Sequence, residues 1–300
     1  MNILRFVEEF PDEQSCITHF KKCREKEGLI CKKCNSKDHY WLKNKNQWEC
    51  KACKFRTTLR SGTIMHGSNL KLRIWYLAMA FMSFSKKGIS AKELQRQLGY
   101  NRYDTIWLLM HKIRDAMGKR DNLYSLKDMV EFDEGYFEKA TSEKVNLKRG
   151  RGSQRQKNVA VMGESIPLTK ENGSTYRYPG YFKMKVLTIH HKDEINQVVQ
   201  DNLEDKSIVF SDKSTSYVNI SNFVEAHLTE KSDKTTTKET LKWVHIAISN
   251  AKRNLLGVYH KIKGKYLQAY LDEFCYKLNR RYFGERLFDR LVLAVAKIYR

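Results

Sequence analysis

The sequence predicts a multidomain α+β chain. Three observations predict it: two CxxC pairs near the start, a proline-free helical run over residues 70–118, and short β-prone segments alternating with helices beyond residue 128. At 300 residues there is room for a catalytic-sized domain with one or two smaller appendages. The 56 Lys and Arg against 34 Asp and Glu give a formal charge of +22, a field that draws polyanions, so nucleic acid is the first partner to expect. No apolar run approaches the roughly 20 residues that span a bilayer, and "MNILRFVEEF" carries acids where a secretory signal needs an unbroken apolar core. A cytoplasmic protein with no membrane partner is the expectation.

Six of the seven cysteines precede residue 54, which fits a local metal site in a reducing compartment better than a disulfide framework. In "CKKCNSKDHYWLKNKNQWECKAC", 15 residues separate the pair Cys31 and Cys34 from the pair Cys50 and Cys53. Each CxxC turns tightly enough to aim two sulfurs at one ion, and the intervening residues can form the hairpin that brings the pairs together. This is the spacing of a zinc ribbon. Four protein thiolates leave Zn²⁺ no open position, so the ion is expected to be structural. Redox chemistry at one CxxC is the alternative, but no βαβ pattern surrounds either pair. Cys16 and Cys23, on an amphipathic stretch, read as buried small apolar residues.

"LKLRIWYLAMAFMSF" is a strongly apolar helix. "SAKELQRQLGY" opens with a capping box, Ser90 with Glu93, and is broken by Gly99. "NRYDTIWLLMHKIRDAMG" gives a third helix, apolar at Ile106, Leu109, Met110 and Ile113 and basic at Lys112 and Arg114. Helix, short capped helix, glycine turn, helix is the order of a helix-turn-helix whose last helix enters the major groove; a plain three-helix bundle is the alternative.

After "DNLYSLKD" the chain turns to strands. "MVEFDEGYF", "KNVAVMGES" and "YFKMKVLTIH" are short and β-prone, and the basic "KRGRGSQRQK" between the first two reads as an exposed loop. "DEINQVVQDNL" follows as a helix, "SIVFSD" as an apolar strand ending in Asp212, "EAHL" as another possible strand, and then a helix from Trp243. This is the order of a ribonuclease-H-like mixed sheet. Residues 265–300 read as closing helices.

Asp133 lies on the first of these strands. Asp212 ends the strand after the first helix, where ligand sites of such sheets gather. Two adjacent carboxylates with one more donor can hold two Mg²⁺ or Mn²⁺ ions, which activate a water or a 3′-hydroxyl and stabilise the leaving oxygen in phosphodiester cleavage. A lone Asp at a strand end is more often a turn or helix cap. Here the pair comes with the cysteine site, the helix-turn-helix pattern and the positive charge.

"EFDEGYFE", "IVFSDKSTSY", "WVHIAISNAKRNLLGVYH" and "YLDEFCYKLNRR", preceded by the CxxC pairs, resemble the bacterial insertion-sequence transposases with an N-terminal zinc ribbon and a DDE catalytic domain, the ISXO2-like and Merlin-related group. The resemblance runs from about residue 15 to about residue 283, and the last two motifs are its most specific part. It implies a ribonuclease-H-like core, binding of terminal inverted repeats by the N-terminal modules, DNA cleavage with strand transfer into target DNA, and a dimer or larger assembly on DNA. It carries the first two catalytic acids onto Asp133 and Asp212. The implied division is 1–62 for an N-terminal helix and zinc ribbon, 63–122 for the helix-turn-helix, and 123–300 for the catalytic domain.

The group commonly has a Glu seven residues before a Lys on one helix. This chain keeps Lys252 and has His245. Seven positions on a 3.6-residue helix return to within about 20° of the starting direction, so His245 and Lys252 share a face, whereas Asn250 points about 140° from His245. Geometry favours His245 as the third residue. Members with Asn assigned there keep Asn250 in play. Imidazole is a poor ligand for Mg²⁺, acceptable for Mn²⁺, and able to act as a base. Lys252 is expected at a DNA phosphate, joined in DNA binding by Arg102, Lys112, Arg114, Lys148, Arg149, Arg151, Arg155 and Arg253. A transposase-derived binding protein without catalysis, or a related nuclease that cuts without joining, are the rival readings.

Overall fold

The computed structural model describes residues 1–140, 153, 155–188, 192–231, 233, 239–260 and 262–297. It divides into two compact units, Met1–Lys119 with Tyr282–Arg300, and Arg120–Arg281. Among the described residues no helix is long and apolar enough to cross a membrane.

The first unit opens with α1 (Ile3–Glu9) and α2 (Glu13–Lys26), the latter capped by the reciprocal pair Asp12 and Ser15. A three-stranded antiparallel sheet follows, β1 (His39–Leu42), β2 (Gln47–Cys50) and β3 (Arg56–Thr58). Next come α3 (Leu72–Phe84), α4 (Ala91–Gln97) and α5 (Tyr103–Asn122), which continues past the unit's boundary. Ser90 accepts from Glu93 N–H, as its capping position predicts. The expected reciprocal bond is replaced, because the Glu93 carboxylate accepts from Arg96 and Gln97 instead. Gly99 takes φ +58°, which ends α4 where a side chain would be strained. Cys16 and Cys23 are buried, as expected.

The closing helix, α9 (Leu287–Ala296), packs in this unit with α2 and α3. Phe288 is the reason: its ring meets Phe6, Phe10 and Tyr76 at centroid distances of 5.6, 5.7 and 5.9 Å. The division at residue 123 therefore does not describe the compact units, since the last helix finds its apolar partners among the first.

The second unit is a mixed five-stranded sheet. Its strands are β4 (Met129–Glu138), β5 (Gln156–Thr169), β6 (Thr175–Val186), β7 (Ile208–Asp212) and β8 (Ala226–Glu230), in the order β6-β5-β4-β7-β8. β4, β5 and β6 form an antiparallel meander, and β7 and β8 run parallel to β4. Alternation along β4 sends Phe132 into one core with Met162, Ile195, Val199 and Val209, where α6 (Lys192–Asn202) packs. It sends Phe137 into the other, with Val161, Met184, Val244 and Leu271 beneath α7 (Lys242–Tyr259) and α8 (Leu267–Asn279). The β5–β6 hairpin is longer than the sequence suggested, turning at Lys170–Ser174.

The outer edge of β6 is closed by side chains of α8. Gln268 accepts from Val186 N–H (2.8 Å) and donates to Met184 O (2.8 Å). Asn279 accepts from Phe182 N–H (2.7 Å) and donates to Phe182 O (2.9 Å). Two amides thus stand in for a sixth strand.

Candidate functional site

The β4–β7 register pairs Met129 with Ile208 and Glu131 with Phe210. Asp133 and Asp212 each lie two residues beyond the last of these pairs, and side chains two apart on a strand share a face. That face is the one α7 covers. His245, in the first turn of α7, places Nε2 3.6 Å from Asp133 Oδ2. Each carboxylate is oriented by a backbone N–H: Glu134 N on Asp133 Oδ1 at 2.7 Å and Ser214 N on Asp212 Oδ1 at 3.1 Å. Burial holds the His245 pKa below its ordinary value, with Asp212 pulling the other way. At 3.6 Å the contact is longer than a hydrogen bond.

Two features of β4 set where α7 lies. Glu131 accepts from Trp243 N–H (2.7 Å) and Val244 N–H (3.0 Å), at the start of α7. Gly135 faces the helix: a Cβ there would come 2.9 Å from Phe137 Cε2 and 3.4 Å from Ile248 Cγ1, so the lack of one lets helix and strand approach. Lys252 reaches the same strand further along, with Nζ 5.7 Å from the Phe137 ring centroid. Asn250 is exposed and accepts from Arg253 Nη2 at 2.9 Å.

Sequence reasoning missed Glu131, Glu134 and Tyr217. Tyr217 packs its ring edge-on to Phe132 (5.1 Å), and its hydroxyl pKa is pushed up by burial and then by Glu134, Asp133 and Asp212. Asn158 donates to Glu134 from the neighbouring strand. The available signal was the period of two in "EFDEGYF", which puts Glu131 on the Asp133 face and Glu134 on the other.

The donor set suits a hard divalent cation: two carboxylates on adjacent strands and an imidazole, the latter favouring Mn²⁺ over Mg²⁺. Residues Asp133, Asp212 and His245 would hold it.

In the first unit the four cysteine sulfurs lie within 4.8 Å of one another, with Cys31–Cys53 and Cys34–Cys50 each at 3.5 Å. The edges of a ZnS₄ tetrahedron with ~2.3 Å bonds are about 3.8 Å, so the set fits Zn²⁺. The two turns are built alike. Asn35 N donates to Cys31 O and Lys54 N to Cys50 O, at 2.9 and 3.0 Å, and both Asn35 and Lys54 have positive φ. The Cys50 thiol is pushed down to about 6, foremost by the Cys53 backbone N–H. β1 and β2 form the hairpin joining the pairs.

Of the basic candidates, Arg102 is exposed and Lys112 half-buried, and they line one groove with Lys71, with no carboxylate in its lining. Arg114 is a correction. It is 1% exposed, since it follows Met110 by four residues and so falls on the buried stripe of α5. Arg155, Lys252 and Arg253 are exposed. Lys148, Arg149 and Arg151 lie outside the described residues.

The profile of the ISXO2-like transposase domain matches residues 125–279. No curated protein matches. Among solved structures, the Mos1 mariner paired end complex with Mn is 12% identical, with 70% of this chain and 75% of that chain covered and a TM-score of 0.28. A pre-cleavage Mos1 transpososome is 12% identical, with the same coverage and a TM-score of 0.23. The Mos1 paired end complex with Mg is 10% identical, with the same coverage and a TM-score of 0.24. All three likenesses are distant.

Proposed function

The chain belongs to the ISXO2-like transposase family, and from that premise we propose that it cuts and joins DNA at the ends of its own element by metal-dependent phosphoryl transfer. The observation that carries this reading is His245 Nε2 3.6 Å from Asp133, with Asp133 and Asp212 each two residues past the last pair of two adjacent parallel strands. The strand order supports a ribonuclease-H-like core.

When bound, divalent ions lower the pKa of an attacking water or 3′-hydroxyl and neutralise charge on the leaving oxygen. Asp133 and Asp212 supply hard oxygen donors, held in orientation by Glu134 N–H and Ser214 N–H. His245, whose charged form burial disfavours, offers a nitrogen lone pair as the third donor where relatives carry a carboxylate. Lys252, exposed on the same helix, meets the phosphate of the strand being cut.

In this reading Cys31, Cys34, Cys50 and Cys53 hold a structural zinc, and α3, α4 and α5 act as a helix-turn-helix that binds the terminal repeats with Arg102 and Lys112. Residues 1–62, 63–122 and 123–281 are then the functional divisions, and two copies bring two ends together. The test is a cleavage assay on linear DNA carrying the element's ends, in Mn²⁺ and in Mg²⁺. Wild type cuts and joins, while Asp133→Ala and Asp212→Ala bind DNA without cutting. Full cutting by either variant overturns the site. Cutting without joining makes the protein a nuclease, and binding without cutting by wild type makes it a DNA-binding derivative.

A further inference from the structure

α7 carries His245, yet Leu241, at its cap position, makes no side-chain bond to the helix. The cap comes from the sheet. Glu131 is fully buried, and a single oxygen, Oε2, accepts from both Trp243 N–H and Val244 N–H at 2.7 and 3.0 Å. A buried carboxylate in a β-strand is costly unless its oxygens are engaged. Here only Oε2 is engaged, with donors that the first turn of a helix leaves without partners, while Oε1 is buried without a hydrogen bond among the described residues.

The position of this contact matters more than its existence. Glu131 lies two residues before Asp133 on the same face of β4, and His245 follows Val244 directly. One end of the contact is thus fixed to the strand that carries the first acid, and the other to the turn that carries the imidazole. We propose that Glu131 is a positioning residue for DNA cleavage, docking the start of α7 on β4 so that His245 stands at Asp133. This deepens the proposed function and rests on its assignment of His245. Glu13 offers a useful contrast. It accepts from Leu72 N–H on Oε1 and from Arg73 N–H on Oε2 at the start of α3, one oxygen for each donor, and far along the chain from any residue of the candidate site.

Because one oxygen takes both N–H groups, a glutamine amide oxygen can accept both, whereas a methionine of similar length can accept neither. Glu131→Gln is therefore expected to keep cleavage within a few-fold of wild type. Glu131→Met is expected to lose about a hundred-fold, the scale of an ångström-sized misplacement of a catalytic group. The decisive measurement is a double-mutant cycle on cleavage of end DNA in Mn²⁺, with Glu131→Met, His245→Ala and both together. Hydrogen exchange at the Trp243 and Val244 amides is followed in the full-length variants alongside it.

If Glu131 acts through His245, the double variant is no slower than His245→Ala alone, and the two amides lose protection in Glu131→Met but keep it in Glu131→Gln. Multiplied losses in the double variant, or unchanged amide protection in Glu131→Met, overturn the proposal. So does equal loss in the Gln and Met variants. Wild-type cleavage by His245→Ala would instead overturn the assignment of His245, and this proposal with it.

Discussion

Asp121 and Arg280 form an ion pair 2.7 Å long in the interior of the second unit, with side chains only 11% and 8% exposed. Arg280 also stacks on Tyr276 at 3.7 Å, and Asn279 donates to Asp121 Oδ2 at 3.1 Å. Burial pushes the Asp121 carboxyl up despite the guanidinium beside it. Removing one partner leaves the other charge buried and unmatched, at a cost of about 3–5 kcal/mol. Arg280→Met should therefore unfold at much lower urea concentration than wild type. Asp121→Leu combined with Arg280→Met should recover part of the loss, and a double variant as weak as the sum of the singles would show that the pair is not coupled.

Cys50→Ser should release the metal of the cysteine site. A four-thiolate site supplies about 10 kcal/mol or more of apparent folding free energy to a small module. Elemental analysis should find one zinc per wild-type chain and none in the variant, and specific binding to end DNA should be lost with it. A full zinc complement in Cys50→Ser would remove the ribbon assignment.

His245→Ala should slow cleavage far more than Asn250→Ala, because His245 stands at Asp133 while Asn250 is engaged with Arg253 at the surface. His245→Glu should shift the preferred ion from Mn²⁺ toward Mg²⁺, which takes oxygen donors more readily than imidazole. Initial rates across a titration of each metal read both effects. A greater loss in Asn250→Ala would exchange the two assignments.

Gly135→Val should raise the helix off the strand, since the added atoms meet Phe137 and Ile248. Overpacking of this kind costs about 1–3 kcal/mol. The variant is expected to melt earlier and to lose cleavage out of proportion to that loss, at temperatures where circular dichroism shows it folded.

His19 sits in the aromatic cluster of the first unit, with Nδ1 2.8 Å from the Tyr76 hydroxyl, and burial lowers its pKa. A folded pKa below the unfolded value, near 6.5, means that protonation favours the unfolded chain. The contribution of His19 is complete above about pH 6.5 and is lost as the pH falls below it. Thermal melts from pH 7.5 to pH 5 should fall less steeply in His19→Gln than in wild type, and parallel curves would exclude His19 as a source of the acid sensitivity.

Much of this was legible in the residues themselves. The cysteine spacing anticipated the hairpin, the Ser90 cap and Gly99 marked the limits of α4, and seven-residue spacing put His245 and Lys252 toward β4 while turning Asn250 away. Three things were hidden for physical reasons. The charge of Arg114 drew attention from its place on an apolar stripe. Asn172–Gly173, a strong hairpin signal, stood among polar residues and near Pro167 and Pro179, so the outer halves of β5 and β6 looked like loop. The partners of Glu131 and Phe288 lie far away in sequence, and no local pattern reports a contact of that range.

The amides that close the edge of β6 arrive late. Asn279 is made 97 residues after Phe182, the strand residue it covers. At synthesis rates of about 5–20 residues per second, the strand waits roughly 5–20 s for its cover. During that interval β6 is a bare template to which a neighbouring nascent chain can add. Ribosomes crowded on one message would place such chains side by side, so the yield of soluble protein should depend on how quickly the stretch encoding residues 187–279 is translated. Slow codons late in that stretch would prolong the exposure.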